Sequence, residues 1–220
     1  AMLEAFAAAQ ADRVDVLVQP ENRGKAEAVR AGMRRASTGG SNLVGFWDAD
    51  LATPLDAVMD LLGVISRRTD IDWVLGARVQ LLGRDIRRRA IRHYLGRVFA
   101  TAASIVLSMP VYDTQCGAKL FRVSTELDEV LSRPFVSRWV FDVEMLARLA
   151  KIRRRDGNRP AVESVFEFPL QQWTDVGGSK VRSGDFLKAS IELLRIWRDP
   201  LPGVSPARST AESQESSTRG

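Results

Sequence analysis

The 220-residue chain has one cysteine, Cys116, and one histidine, His93. A single cysteine excludes an intramolecular disulfide framework. A single histidine argues against a His-rich metal site and against a Ser-His-Asp triad. Lysine is scarce as well: of 32 basic residues only Lys25, Lys119, Lys151, Lys180 and Lys188 are lysines. No apolar run reaches the roughly 18 to 20 residues of a membrane span; the longest, Val98 to Met109, is broken by Thr101, Ser104 and Ser108. The first residues carry no basic stretch and no cleavage site, so no secretory signal is expected, and the protein is expected on the cytoplasmic side, peripheral on the inner face of a membrane. Hydrophobic residues make up 45% and charged residues 27%, which excludes a fully disordered or fibrous chain. The net charge of +5, carried mostly by arginine, suits an anionic partner such as a phosphate or a membrane face.

Periodicity separates the elements. Residues 2–11 read as the end of a helix. Val14 to Val18 is short and β-rich and reads as a strand. Lys25 to Ala36 is helical by spacing, with Ala28, Val29, Gly32 and Met33 on one face. Leu43 to Trp47 is a near-continuous apolar run, the pattern of a strand buried on both faces. Pro54 suits a first helical position, ahead of Leu55, Val58, Leu61, Leu62 and Ile65. Ile71 to Leu75 predicts a strand, Arg84 to Met109 one long helix or two abutting ones, Cys116 to Phe121 an extended segment, Phe141 to Ala150 a helix, Val162 to Phe168 a strand and Phe186 to Trp197 a last amphipathic helix. From Pro200 the composition turns to Pro, Ser, Thr and Gly, so residues 200–220 are expected to be a disordered tail behind a domain of residues 1–199. Alternating strands and helices predict an α/β domain with a mostly parallel sheet flanked by helices.

Asp48-Ala49-Asp50 closes the Leu43 to Trp47 run. Ligands of open α/β sheets bind outside the carboxyl ends of strands, and two carboxylates there can meet a divalent cation and a diphosphate. The plainer reading is a helix cap, with Asp50 or Thr53 ahead of Pro54. A phosphatase of the D-x-D-x-T type is disfavoured, because Thr53 falls one residue too late. Asn22-Arg23-Gly24-Lys25 lies between a predicted strand and a helix; the helix N-terminus and Lys25 suit phosphate, and an ordinary turn explains the same residues. Gly83 to Arg97 holds six arginines against one aspartate. Arg84, Arg88 and Arg92 fall on one helical face beside an apolar stripe, as in an interfacial membrane helix; a solvated face on a core helix is the alternative. Nucleic acid is not expected as a partner, since neither a recognition motif nor aromatic interleaving is present.

These segments together resemble the family 2 glycosyltransferases, and within them the dolichyl- and polyprenyl-phosphate glucosyltransferases, with the mannosyl-phosphate synthases close behind. The residues that carry the resemblance run from Asn22-Arg23-Gly24-Lys25 and Asp48-Ala49-Asp50-Leu51-Ala52-Thr53-Pro54 through Gly76-Ala77-Arg78 and Asp113-Thr114-Gln115-Cys116-Gly117-Ala118-Lys119-Leu120-Phe121. They continue with Arg138-Trp139-Val140-Phe141-Asp142-Val143-Glu144 and with Trp173, Gly178, Ser179 and Lys180. The resemblance implies a GT-A fold and inverting transfer of a hexose, glucose before mannose, from a nucleotide sugar such as UDP-glucose to a polyprenyl phosphate. It implies Mg²⁺ or Mn²⁺ on Asp48 and Asp50, with Asp50 the more direct ligand. Asn22, Gly24, Lys25, Arg78, Ser179 and Lys180 would hold the donor. Arg84, Arg88, Arg92, Asp113 and Lys119 would hold the acceptor phosphate, and Asp142 stands where inverting members keep a carboxylate base. The family's Gly-Ser-Arg is Gly76-Ala77-Arg78 here. The family's opening strands, ending in Pro-x-Tyr-Asn-Glu and Asp-Asp-Gly-Ser, do not occur, so the chain is expected to be an N-terminally shortened enzyme. An inactive remnant that binds a membrane or a partner is the alternative, and a phosphohydrolase acting through Asp48 is a third.

Overall fold

A computed structural model describes residues 2–87, 90–176 and 183–198; the tail expected at 200–220 lies outside them. The elements run α1 (Met2–Ala9), α2 (Lys25–Ser37), β1 (Leu43–Trp47), α3 (Ala57–Arg67), β2 (Trp73–Ala77), β3 (Asp85–Arg87), α4 (Ala90–Leu107), β4 (Ala118–Arg122), α5 (Thr125–Leu131), α6 (Phe141–Asp156), a 3₁₀ turn at Ala161–Glu163, β5 (Val165–Pro169), β6 (Gln172–Thr174) and α7 (Ser183–Arg198).

The main sheet has the order β1-β4-β2-β5. β1, β2 and β5 point the same way, which is the expected parallel set, and β2 pairs with β5 in parallel register from Trp73↔Val165 to Ala77↔Pro169. β4 runs against them and sits between β1 and β2, so both of its ladders are antiparallel. This insertion brings the start of β4, residues 116–119, to the carboxyl ends of β1 and β2.

Alternation along the strands sends side chains to two cores, one on each face. Val44, Trp73, Leu75 and Phe121 join α5 and α6 in one cluster. Val74, Ala118 and Leu120 join Leu61 and Ile65 of α3 in the other. Leu61 and Ile65 are fully buried one turn apart, which anchors α3 to the sheet. Aromatic contacts tie the first cluster together: Trp73 meets Phe121 edge-on at 5.0 Å, and Phe46 lies 5.8 Å from Phe141.

Two expectations are corrected, and one helix is added. Val14 to Val18 forms no ladder among the described residues; Leu17 and Val18 are exposed, and a β-rich sequence without a neighbouring strand has nothing to hydrogen-bond. The stretch from Arg84 does not continue into one helix. A turn at Leu82-Gly83 leads into β3, where Ile86 is buried between exposed Asp85 and Arg87 and pairs with Trp173 of β6. Period 2 therefore wins over the apparent helical period, and Arg84 does not share a helical face with Arg88 and Arg92. Helix α5, not expected from the sequence, is set by Ser124, whose hydroxyl accepts from Leu127 N.

Candidate active site

At the carboxyl end of β1 the chain turns sharply. Asp48 N donates to Gly117 O at 2.7 Å, Leu51 N donates to Asp48 O at 3.1 Å, and Ala52 N donates to Asp50 Oδ1 at 3.1 Å. Leu51 adopts φ 53°, a left-handed conformation that a branched side chain rarely takes, so the turn between Asp50 and Ala52 is strained. The surroundings hold it: Trp47 Nε1 donates to Thr53 O at 3.0 Å, and Thr174 N of β6 donates to Ala52 O at 3.0 Å.

Asp48 occupies the space beside Gly117. A Cβ at Gly117 would collide with the Asp48 carboxylate, so only glycine leaves the seat open. From the other side Lys25 Nζ lies 2.6 Å from Asp48 Oδ1. Lys25 opens α2 behind an Asx turn in which Gly24 N donates to Asn22 Oδ1 at 3.0 Å. Gly24 has φ 89°, and among the described residues no side chain caps the helix or accepts from the first N–H groups of α2. Arg138 completes this corner: its Nε and Nη2 lie 3.6 and 3.7 Å from where a Gly24 Cβ would be. Arg138 makes no ion pair among the described residues. The signal for it in the sequence is a basic residue four positions before Asp142 of α6, within the Arg138 to Glu144 motif.

The loop that carries Arg138 is anchored through its backbone. Glu144 accepts from Val136 N and Ser137 N at 3.0 and 2.9 Å and pairs with Arg148 at 2.6 Å. Glu192 of α7 accepts from Ser137 Oγ at 2.5 Å. Buried Glu144 thus positions the loop.

Asp142, in the first turn of α6, is buried and pairs with buried Lys119 at 2.7 Å. Burial pushes its carboxyl above the ordinary range, and Lys119 pulls in the opposite direction. Lys119 Nζ also donates to Cys116 O. Arg78 forms a bidentate pair with Asp113, Nε to Oδ2 at 2.6 Å and Nη2 to Oδ1 at 2.7 Å, and stands 5.2 Å over the Trp173 ring. Glu167 accepts from Tyr112 N at 2.8 Å and Asp113 N at 2.7 Å; burial raises its pKa.

The geometry therefore separates the expected site residues. Asn22, Gly24, Lys25, Asp48 and Asp50 gather at one corner. Arg78 and Asp113 bind each other, and Lys119 binds Asp142; Asp113, Lys119 and Asp142 are buried, where a charge needs a partner, and Arg78 is partly buried. Arg84 lies in the turn before β3, where its N–H donates to Leu81 O at 3.1 Å. Arg88, Ser179 and Lys180 lie outside the described residues, as does the side chain of Arg92.

No group of three or more His, Cys, Asp or Glu that could hold a metal occurs among the described residues. Two carboxylates on either side of one residue still fit a hard cation that takes its remaining oxygens from a diphosphate and water, the usual manner of Mg²⁺. Asp50 is exposed and has no cationic partner among the described residues.

An α/β sheet with carboxylates, a lysine and an uncapped helix at one strand end has the architecture of nucleotide-sugar-binding proteins. The fold is GT-A, as comparison with solved structures shows: glucosyl-3-phosphoglycerate synthase from Mycobacterium tuberculosis, in complex with Mn²⁺ and UDP-glucose, superposes with TM-score 0.56 over 91% of this chain and 65% of that one, at 19% identity. The profile described as Glycosyl transferase family 2 matches residues 1–126, and the chain belongs to that family. Among curated relatives, a dolichyl-phosphate beta-glucosyltransferase of Drosophila melanogaster is 34% identical over 88% of this chain and 57% of its own length. Counterparts from Trichomonas vaginalis and Saccharomyces cerevisiae are each 32% identical over 84% of this chain, covering 52% and 54% of theirs. The chain spans about half the length of the curated relatives it matches.

Proposed function

We propose that this chain carries the transfer centre of a polyprenyl-phosphate glucosyltransferase. It takes glucose from a nucleotide diphosphate donor such as UDP-glucose and passes it to the phosphate of a dolichol-type lipid, with inversion. The carrying observation is the corner where Lys25, at the start of α2, meets Asp48 at the strand end that also carries Asp50, with Arg138 beside Gly24. The kinship with dolichyl-phosphate glucosyltransferases supports the choice of sugar and acceptor.

In the transfer, an acceptor phosphate oxygen bonds to the sugar's anomeric carbon as the bond from that carbon to the donor diphosphate breaks, and the electron pair leaves with the diphosphate. Lys25, Arg138 and the α2 amides bind the diphosphate where its charge grows, so they stabilise the transition state more than the bound donor. Asp48 and Asp50 would hold Mg²⁺ or Mn²⁺, which supplies Lewis-acid neutralisation of the leaving group when bound. The acceptor is a phosphate, largely ionised near pH 7. No strong base is required, and Asp142 serves to hold the buried Lys119 side chain in place. No described helix is long and apolar enough to cross a membrane. Peripheral contact with a membrane has its support in exposed Val98 and Ile105, seven residues apart on one face of α4.

The test is transfer of radiolabelled glucose from UDP-glucose to lipid in the presence of polyprenyl phosphate and Mn²⁺. Label should enter lipid and fall by about 100-fold or more in Asp50→Ala. Label unchanged by that substitution contradicts the site.

A further inference from the structure

The segment 113–117 has two working ends. Gly117 seats Asp48. The other end, Thr114 and Gln115, lines a small open cleft against α4, where Gly96 and Ala100, one turn apart, present little or no side chain. Thr114 is 1% exposed, and among the described residues its Oγ1 has no hydrogen-bond partner; Gln115 Nε2 is likewise buried and unpartnered among them. Buried polar groups of this kind cost free energy unless something satisfies them. Arg97, on the same wall, stacks 4.2 Å over the Tyr112 ring and forms no ion pair among the described residues.

The floor of the cleft is rigid. Glu167 holds the Tyr112 and Asp113 amides, and Arg78 holds both Asp113 oxygens, with Asp113 Oδ1 also taking Gln115 N at 3.2 Å. The Arg78–Asp113 pair is internally neutral, which leaves Arg97 as the net charge of the lining. Among the lining residues, the Thr114 hydroxyl, the Gln115 amide NH₂ and the Arg97 guanidinium can all donate. A ligand made only of acceptor oxygens, carrying negative charge, satisfies all three.

From these donors we infer that the cleft between α4 and residues 112–115 binds a phosphate monoester, and that this phosphate is the headgroup of the lipid acceptor. The second half rests on the proposed transfer reaction. Thr114 and Gly117 are three residues apart, at most about 11 Å of chain, so the cleft adjoins the corner where the donor diphosphate would sit. The acceptor site thereby shifts from Asp113 and Lys119, whose charges are matched internally, to Thr114, Gln115 and Arg97.

The experiment follows the side-chain amide of Gln115 by ¹⁵N–¹H NMR, identified by its loss in Gln115→Leu, during titration with inorganic phosphate without nucleotide or metal. The Gln115 signals should shift saturably, also in Lys25→Ala, which separates this cleft from the donor corner. Thr114→Val with Arg97→Ala should weaken phosphate by at least about tenfold, with the melting temperature kept by Thr114→Val alone, because an unpartnered hydroxyl is removed. Gln115 signals that stay fixed, or a phosphate affinity unchanged in the variants, overturn the site. In transfer assays the same variants should raise KM for polyprenyl phosphate and leave KM for UDP-glucose unmoved. A saturable phosphate shift with no change in the lipid KM overturns the acceptor assignment. A wild-type chain that binds phosphate and no nucleotide contradicts the proposed function instead, and leaves the NMR result to decide the cleft.

Discussion

The two ends of the main sheet carry similar charges in different states of completion. At the end where β2 begins, Asp72 accepts from Arg153 at 2.8 Å and Arg159 at 3.1 Å, while Arg153 also pairs with Glu126 at 2.7 Å and donates to Ser164. Arg153 is 5% exposed there, and each acid has several partners. At the end where β1 finishes, Lys25 is half exposed, Asp48 has one cationic partner and Asp50 has none among the described residues. A network complete in itself fixes structure; one left short of partners can take a ligand. The loops after the strands, where helix N-termini also face, are where an α/β sheet leaves charges short.

The comparison breaks first at its closed end. Arg153→Ala leaves Asp72 and Glu126 without their shared partner and should cost about 3 kcal/mol of stability, while transfer per folded molecule stays near wild type. Denaturant unfolding and specific activity on the same samples check it; a large loss of activity with little change in stability would erase the distinction between the two ends.

Gly117→Ala sharpens the open end. The added methyl meets the Asp48 carboxylate, so overpacking should cost about 1–3 kcal/mol, read as a lower melting temperature. Removing the carboxylate gives the methyl room. Asp48→Ala should therefore restore most of the lost stability in the double variant, a coupling that independent sites do not show. Additive losses would mean that Gly117 does not form the seat of Asp48.

The smallest effect concerns pH. Burial raises the Glu167 pKa above the ordinary value of 4.5. The folded chain thus holds that proton more tightly than the unfolded chain. The stability this contributes is full below pH 4.5 and is lost as pH climbs through the raised value. Glu167→Gln should flatten this decline in urea midpoints measured from pH 4 to pH 8. A decline as steep as in wild type would place the titrating group elsewhere.

What the sequence conveyed follows the range of its interactions. The apolar run ending in Asp48 marks a strand and where it stops, but not the burial on both faces that such a run predicts: β1 is the edge of the sheet, with Val44 buried and Gly45 exposed. Ser124, by contrast, caps α5 by a local rule that went unused. The insertion of β4 against its neighbours, the β3–β6 ladder and the Arg78–Asp113 pair depend on residues 35 or more apart, and spacing along the chain carries no trace of them. Arg78 and Lys119 have the cationic side chains that bind phosphate, and only the three-dimensional structure reveals their pairing with Asp113 and Asp142. Arg138 stayed hidden for the converse reason, since its place over Gly24 joins segments more than 100 residues apart.

The account stands on Lys25 and Asp48 as the cradle of a donor diphosphate. Calorimetric titration of UDP-glucose with Mn²⁺ into the wild-type chain and into Lys25→Ala tests it most directly. Loss of one charge-assisted contact should weaken binding by at least about tenfold, with the melting temperature unchanged because that lysine is half exposed. Equal affinity in the two proteins would contradict the account.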